Sequence, residues 1–177
     1  SLAQDLGVEE VAFGRVIRHL ASIGIFEIHD DAVHPNAASR LLCTADASGL
    51  LALTRMLGLP IIWDSFRSMG DAVRTGRPGT TFHDPDGFFA YLDRHPRESR
   101  VYDDGMSAMT RRRIERIVPN YDFSGFDVIA DIGGGRGHLI RAILDRTPSA
   151  SGILFDREQV VEAIDPGDRL TVHAGSF

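Results

Sequence analysis

The sequence contains no lysine; all 19 of its basic residues are arginine. An all-arginine composition suits a GC-rich coding sequence. It also excludes, within these residues, a Walker-type phosphate loop and a Schiff-base mechanism, because both need a lysine amine. There is a single cysteine, Cys43, so no internal disulfide and no thiolate metal cluster can form. Apolar runs are short: none approaches the roughly 20 residues needed to span a bilayer. The opening "SLAQDLGVEE" is not a charged-then-apolar leader. A cytoplasmic protein is expected. The excess of acidic over basic residues gives a net charge of -6, which argues against a nucleic-acid or anionic-membrane partner. No carboxylate and histidine cluster has metal-ligand spacing, so no metal is expected.

What is present is ordinary globular composition, 43% hydrophobic and 25% charged, over 177 residues. Three regions follow one another without repeats. Residues 1–45 read as two short helices joined at Gly7, then a hairpin turning at Asp30 and Asp31. Val11, Val16, Ile17, Leu20 and Ile23 supply the helical apolar period. Helix, turn, helix and wing suggest a winged-helix unit. Residues 46–120 read as helical. Pro60 interrupts the apolar stripes, "TGRPGTTFHDPDG" is turn-rich, and "ESRVYDDGMSAMTRRRIERIVPNY" is a long helix ending near Pro119. From residue 121 the pattern changes. "FDVIADI" reads as a buried strand, "GHLIRAILDRT" as a helix, "SGILFD" as a strand, "REQVVEAI" as a helix and "RLTVHAGSF" as a third strand. This alternation is the first half of an α/β doubly wound parallel sheet of Rossmann-like type.

The densest signal is "ADIGGGRGHL", with Gly133, Gly134, Gly135 and Gly137 between the first strand and its helix. Glycines there let the backbone approach a ligand closely. The dinucleotide fingerprint fails in both registers, since its last position falls on His138 or Ile140. What remains is D-x-G-x-G-x-G, from Asp131 through Gly133 and Gly135 to Gly137. Asp156 closes "ILFD" 23 positions after Gly133, where a carboxylate can accept hydrogen bonds from a ribose diol. A glycine turn that merely tightens strand–helix packing is the competing reading, and Asp131 and Asp156 in the same unit weigh against it.

This pattern resembles the first motif of class I S-adenosylmethionine-dependent methyltransferases. With the preceding winged-helix-like unit, "YDDGMSAMT" and "HAGSF", the whole chain resembles the small-molecule O-methyltransferases, both plant caffeate-type and bacterial natural-product enzymes. The resemblance implies S-adenosyl-L-methionine as cofactor. It places Gly133, Gly134 and Gly135 on the amino-acid moiety, Asp156 on the ribose with Arg157 beside it, Ser176 and Phe177 at the adenine, and Thr110 near the cofactor carboxylate. Family members usually carry an aspartate where this sequence has Ser176. The resemblance also implies a small aromatic acceptor lined by Phe88, Leu92, Tyr102, Met106 and Met109. Of these, Tyr102, Met106 and Met109 share one helix face by spacing, which would equally suit plain core. The N-terminal unit would build a homodimer rather than read DNA. Its six acidic residues, Asp5, Glu9, Glu10, Glu27, Asp30 and Asp31, outweigh Arg15, Arg18 and Arg40, contrary to what a phosphate backbone requires.

No catalytic residue is assigned. In the resembled family the base is a histidine beyond a fourth strand, and none of the seven histidines here follows one. His138 follows the glycine turn and His83 lies in a loop, and neither is taken as the base. A sheet ending at its third strand leaves the first strand unpaired on one side, so the chain is expected to be part of a longer polypeptide. Alternatives stay open: transfer to nitrogen or carbon, a relative drifted toward hydroxylation or decarboxylation, or a winged-helix regulator.

Overall fold

The computed structural model describes residues 1–176. The chain divides into two compact units, Ser1–Leu51 and Ala52–Phe177. The first holds α1 (Leu2–Leu6), α2 (Glu10–Ser22), β1 (Phe26–His29), β2 (Ala32–Pro35) and α3 (Ala37–Arg40). α1 ends on Gly7 in the left-handed conformation. α2 starts on Glu9, whose carboxylate accepts the Val11 and Ala12 backbone N–H groups at 2.9 and 2.6 Å. That satisfies two of the donors a helix start leaves free. β1 and β2 pair antiparallel through a two-residue turn in which Asp30 and Asp31 both have positive φ, 50° and 58°. This turn matches the right-handed twist of the strands. Asn36 then caps α3 and donates from its side-chain amide to the Gly24 carbonyl at 2.9 Å.

The helical period of α2 does not translate into a fully buried stripe. Ile17 is buried, but Val11, Val16 and Ile23 are exposed. A unit of this size has too little interior to cover every apolar position its helices present.

The second unit opens with helices. These are α4 (Leu50–Leu57, which begins at the unit boundary), α5 (Pro60–Arg67), α6 (Met69–Thr75), a single 3-10 turn at Gly79–Phe82, α7 (Phe88–Arg94) and α8 (Pro96–Ile117). Prolines at the first helical position, Pro60 and Pro96, start α5 and α8 where no N–H is needed. Then come β3 (Val128–Ile132), α9 (His138–Arg146), β4 (Ser151–Asp156), α10 (Glu158–Val161) and β5 (Leu170–Ala174). The three strands form one parallel sheet in the order β3-β4-β5, with Ala130 opposite Ile153 and Leu154 opposite Val172. It is the mixed α/β arrangement, with a parallel sheet, that the strand–helix alternation of the sequence implies.

Two expectations about this region need correction. β3 is not a buried strand: Val128 and Ile132 are more than half exposed. It is an edge strand, with a strand partner on one side only among the described residues. The helix expected over "REQVVEAI" is also shorter, because α10 ends at Val161. After Val161 the chain closes in a tighter turn, with the Ile164 N–H donating to the Val161 carbonyl at 3.0 Å, before it runs on to β5.

The core of the sheet is built from Ile140, Leu144, Ala150, Leu154, Val161 and Leu170. Ile140 and Leu154 are completely inaccessible to solvent, and burying each contributes about 1.5–3 kcal/mol. Arg169 closes the C-terminal end of α9. Its guanidinium donates to the carbonyls of Leu144, Thr147 and Ala150 at 2.8, 3.0 and 3.0 Å. Those carbonyls lie where a helix end leaves acceptors unpaired.

Candidate cofactor and acceptor cleft

The glycine turn sits at the C-terminal end of β3, where it leads into α9. The Gly133 N–H donates to the Phe155 carbonyl at 2.8 Å, so the β-ladder continues one step past the strand. Gly133 has φ +72°, a conformation costly for a side chain with a Cβ. Gly134 is constrained differently. A Cβ there would lie 2.5 Å from Leu154 Cδ1 and 2.6 Å from Asp131 Cγ. Gly134 therefore lets the turn settle onto β4 and onto the Asp131 side chain.

Asp131 itself faces inward. Burial raises the pKa of its carboxyl, while a hydrogen bond from the Ile140 backbone N–H, in the first turn of α9, opposes the rise. The first residue of the D-x-G-x-G-x-G pattern thus anchors the helix start and does not line the cleft. Asp156 does line it. One carboxylate oxygen accepts the Gly135 N–H at 2.7 Å and the other accepts the Arg157 N–H at 2.7 Å.

Around these groups lies a cleft of about 380 Å³, lined by residues of α7, α8, the glycine turn and the ends of β4 and β5. This is within the usual range for small-molecule sites, about 300–1,000 Å³. Gly133, Gly135, Asp156, Arg157 and Ser176 meet Tyr102 and Met106 there. Phe89, Asp103, Ile132, Val160 and Gly175 complete the lining. Phe88, Phe89 and Tyr102 form an edge-on aromatic group, with Tyr102 at 5.0 Å from the Phe88 ring centre and 6.5 Å from that of Phe89.

The other anticipated residues stand elsewhere. Leu92 is fully buried, its side chain in the packing between helices. Phe88 faces a second, shallower hollow with Ile62, Phe66 and Met69. Met109 and Thr110 are half-buried on α8 outside the cleft lining, and the Thr110 hydroxyl donates to the Met106 carbonyl at 3.0 Å. Gly134 packs inward, and Phe177 lies outside the described residues. His83 is also tied down, its Nε2 2.7 Å from the Ser68 hydroxyl oxygen.

The cleft's charges are unevenly compensated. Arg157 forms an ion pair with Asp93 and lies 4.8 Å from the centre of the Phe89 ring. The Gln159 side-chain amide donates to the same Asp93 oxygen. Asp104 and Arg136 form an ion pair at 2.8 Å that ties α8 to the glycine turn. Asp103 accepts no hydrogen bond among the described residues. Burial raises its pKa most, Asp104 and Asp156 add to the rise, and Arg136 and Arg157 oppose it. Tyr102 is pushed up for the same first reason, with Asp103 next. Burial lowers the pKa of His138, helped by Arg111, Arg136 and Arg141.

Sequence reasoning missed Asp103 and Phe89. Both neighbour a residue that was singled out, so the signal was one of helix phase. A cleft wider than one stripe admits i and i+1 together. The short α7 offers too few turns to decide between Phe88 and Phe89.

With this geometry, comparison with known proteins is decisive. The O-methyltransferase domain profile matches residues 66–177, more than half of the sequence. The chain belongs to this family. Members similar to it include the mitomycin biosynthesis 6-O-methyltransferase of Streptomyces lavendulae, 31% identical over 92% of this chain and 47% of that protein. The phenazine O-methyltransferase PhzM of Lysobacter antibioticus is 32% identical over 99% of this chain and 54% of its own length. The solved structure of the mitomycin 7-O-methyltransferase MmcR superimposes with a TM-score of 0.89 at 29% identity, over 99% of this chain and 54% of that one. The chain thus spans about half the length of the family members it matches. No described helix is long and apolar enough to cross a membrane.

Proposed function

We propose that the protein takes part in methyl transfer from S-adenosyl-L-methionine to a hydroxyl of a small aromatic metabolite. The observation that carries this reading is the meeting of Gly133, Gly135 and Asp156 with Tyr102 and Met106 in one cleft. Backbone without side chains at the turn, a carboxylate able to accept a diol, and an apolar wall on α8 suit this cofactor and a flat acceptor. Membership of the O-methyltransferase family supports the reaction type, and relatives named for mitomycin and phenazine methylation support the acceptor class.

In this reading the cofactor supplies a methyl group on a sulfonium that is already a good leaving group. The protein's part is proximity and orientation. Gly133 and Gly135 receive the amino-acid moiety and Asp156 the ribose hydroxyls. Arg157 flanks them with its guanidinium held by Asp93, and Ser176 stands at the adenine end. Tyr102 and Met106 hold the acceptor ring, where methionine and aromatic surfaces adapt to flat ligands. Phe88, Leu92, Met109 and Thr110 are not carried into this assignment. No base is assigned among these residues.

The organisation proposed with it has a winged-helix-like dimerisation unit at 1–45, a helical segment with acceptor-side residues at 46–120, and the first half of the cofactor-binding domain from 121. The exposed Leu2, Leu6, Val11, Val16 and Ile23 support a homodimer. The acidic balance of the same unit disfavours DNA. A lone cysteine suits a cytoplasmic setting.

Titration calorimetry with S-adenosylhomocysteine, with NADH as control, tests the proposal. Saturable binding of the first and none of the second is expected. A folded protein that binds neither would overturn it. Product mass then identifies the chemistry, with a gain of one methyl group expected.

A further inference from the structure

α7 is a helix of seven residues, too short to hold itself together without packing. Leu92 anchors it, wholly buried, and Arg94 pairs with Asp84 and Asp86 in the loop before the helix. Phe89 and Asp93 stand one turn apart on one face. Both meet the Arg157 guanidinium. The Asp93 carboxylate accepts a hydrogen bond from it, and the Phe89 ring centre lies 4.8 Å from its central carbon. The Gln159 amide adds a second donor to the same Asp93 oxygen. Residues 64 and 66 positions away in sequence thus converge on one carboxylate.

Arg157 connects this grip to both walls of the cleft. Its backbone N–H donates to the Asp156 carboxylate at 2.7 Å. Phe89, on the far side of the guanidinium contact, packs edge-on against Tyr102 with ring centres 6.5 Å apart. A continuous series of contacts therefore runs from Asp156 through Arg157 and Phe89 to Tyr102, and Asp93 fixes the guanidinium in its middle. An ion pair whose carboxylate side chain is 41% exposed adds little to folding. Its consequence lies in where α7 is held.

We propose that Asp93 is a positioning residue: by gripping Arg157 it docks α7 and Phe89 onto the strand end that carries Asp156, and so ties the acceptor wall to occupancy of the cofactor side. The inference rests on the cofactor reading above. A ribose diol on Asp156 restrains the carboxylate to which the Arg157 N–H is bonded. Through Arg157 that restraint reaches Phe89 and Tyr102 only while Asp93 holds the guanidinium. Such coupling is reciprocal, so docking of α7 strengthens cofactor binding by the same factor by which the cofactor steadies α7.

Hydrogen exchange read by mass spectrometry tests this on the protein at its natural length, with and without saturating S-adenosylhomocysteine. In the unsubstituted protein the ligand is expected to slow exchange at the glycine turn and, by about fivefold, across α7. In Asp93→Ala the slowing across α7 should vanish while that at the turn remains. Affinity measured by calorimetry should then fall by no more than about fivefold. Asp93→Glu keeps the carboxylate and should restore most of the α7 response. Persistence of the α7 slowing in Asp93→Ala would overturn the inference, even with faster α7 exchange throughout, because Asp93 would then be a structural contact alone. Loss of the slowing at the turn as well would also overturn it, placing Asp93 in support of the cofactor site as a whole. If the unsubstituted protein binds S-adenosylhomocysteine without any α7 response, this inference falls alone. If it binds none, the cofactor reading falls first and this inference with it.

Discussion

The Asp156 carboxylate accepts the Gly135 backbone N–H at 2.7 Å, so the end of β4 clasps the turn that leaves β3. Two residues 21 positions apart thereby share one hydrogen bond at the mouth of the cleft. Asp156 positions the turn and, under the proposed function, also receives the ribose. Its two oxygens have lone pairs enough for both roles.

Asp156→Ala should therefore weaken S-adenosylhomocysteine binding by roughly 1–3 kcal/mol, the cost of removing a charged hydrogen-bond acceptor. Calorimetry on the variant checks this. Unchanged affinity would take Asp156 out of the ribose site.

The glycine turn makes two separable predictions. Gly133→Val forces a β-branched residue into a positive φ and places bulk beside the cleft, so it should abolish cofactor binding. Gly134→Ala acts on the fold instead. Its Cβ would press on Leu154 and Asp131, and a loss of about 1–3 kcal/mol in unfolding free energy is expected. Denaturant titration of Gly134→Ala that matches the unsubstituted protein would show that the turn can relax.

Met106→Ala should alter acceptor affinity more than cofactor affinity, because Met106 lies on the α8 wall and not on the turn. Separate Michaelis constants for the two substrates measure the difference. A selective effect on the cofactor would move Met106 to the other side of the cleft.

A pH effect is expected from the loop before α7. Asp84 is buried and ion-paired with Arg94, whose hydrogen bond holds the Asp84 carboxyl below its ordinary pKa. A depressed carboxyl contributes stability above its unfolded pKa, about 3.9, and loses it as pH falls through the folded value. Asp84→Asn should lower the melting temperature near neutral pH and reduce its decline on acidification below about pH 4. Parallel melting curves for the two proteins across that range would contradict this role.

Much of the site was legible because it lies at strand ends. Strand–turn–helix periodicity locates Gly133 and Asp156 without coordinates, since parallel strands bring their C-terminal ends to one edge. The α8 candidates were harder. A helical stripe reads the same whether it faces a ligand or a core, so Tyr102 and Met106 could not be separated from Met109 by spacing. Leu92 carried no signal that it would be wholly enclosed. Asp103 was overlooked because a carboxylate beside an apolar stripe normally marks the solvated face.

The sequence by itself determined the order of elements, the parallel sheet, the glycine turn and the exclusion of lysine chemistry. These follow from local periodicity, from glycine's access to positive φ, and from composition. Only the tertiary structure decided that Val128 and Ile132 of β3 are more than half exposed, that Asp131 turns inward to the start of α9, and that Asp103 faces the same cleft as Asp156. Each depends on which residues distant in sequence come to lie side by side, and so on the packing of α8 and α9 and the pairing of the strands, which no local pattern encodes.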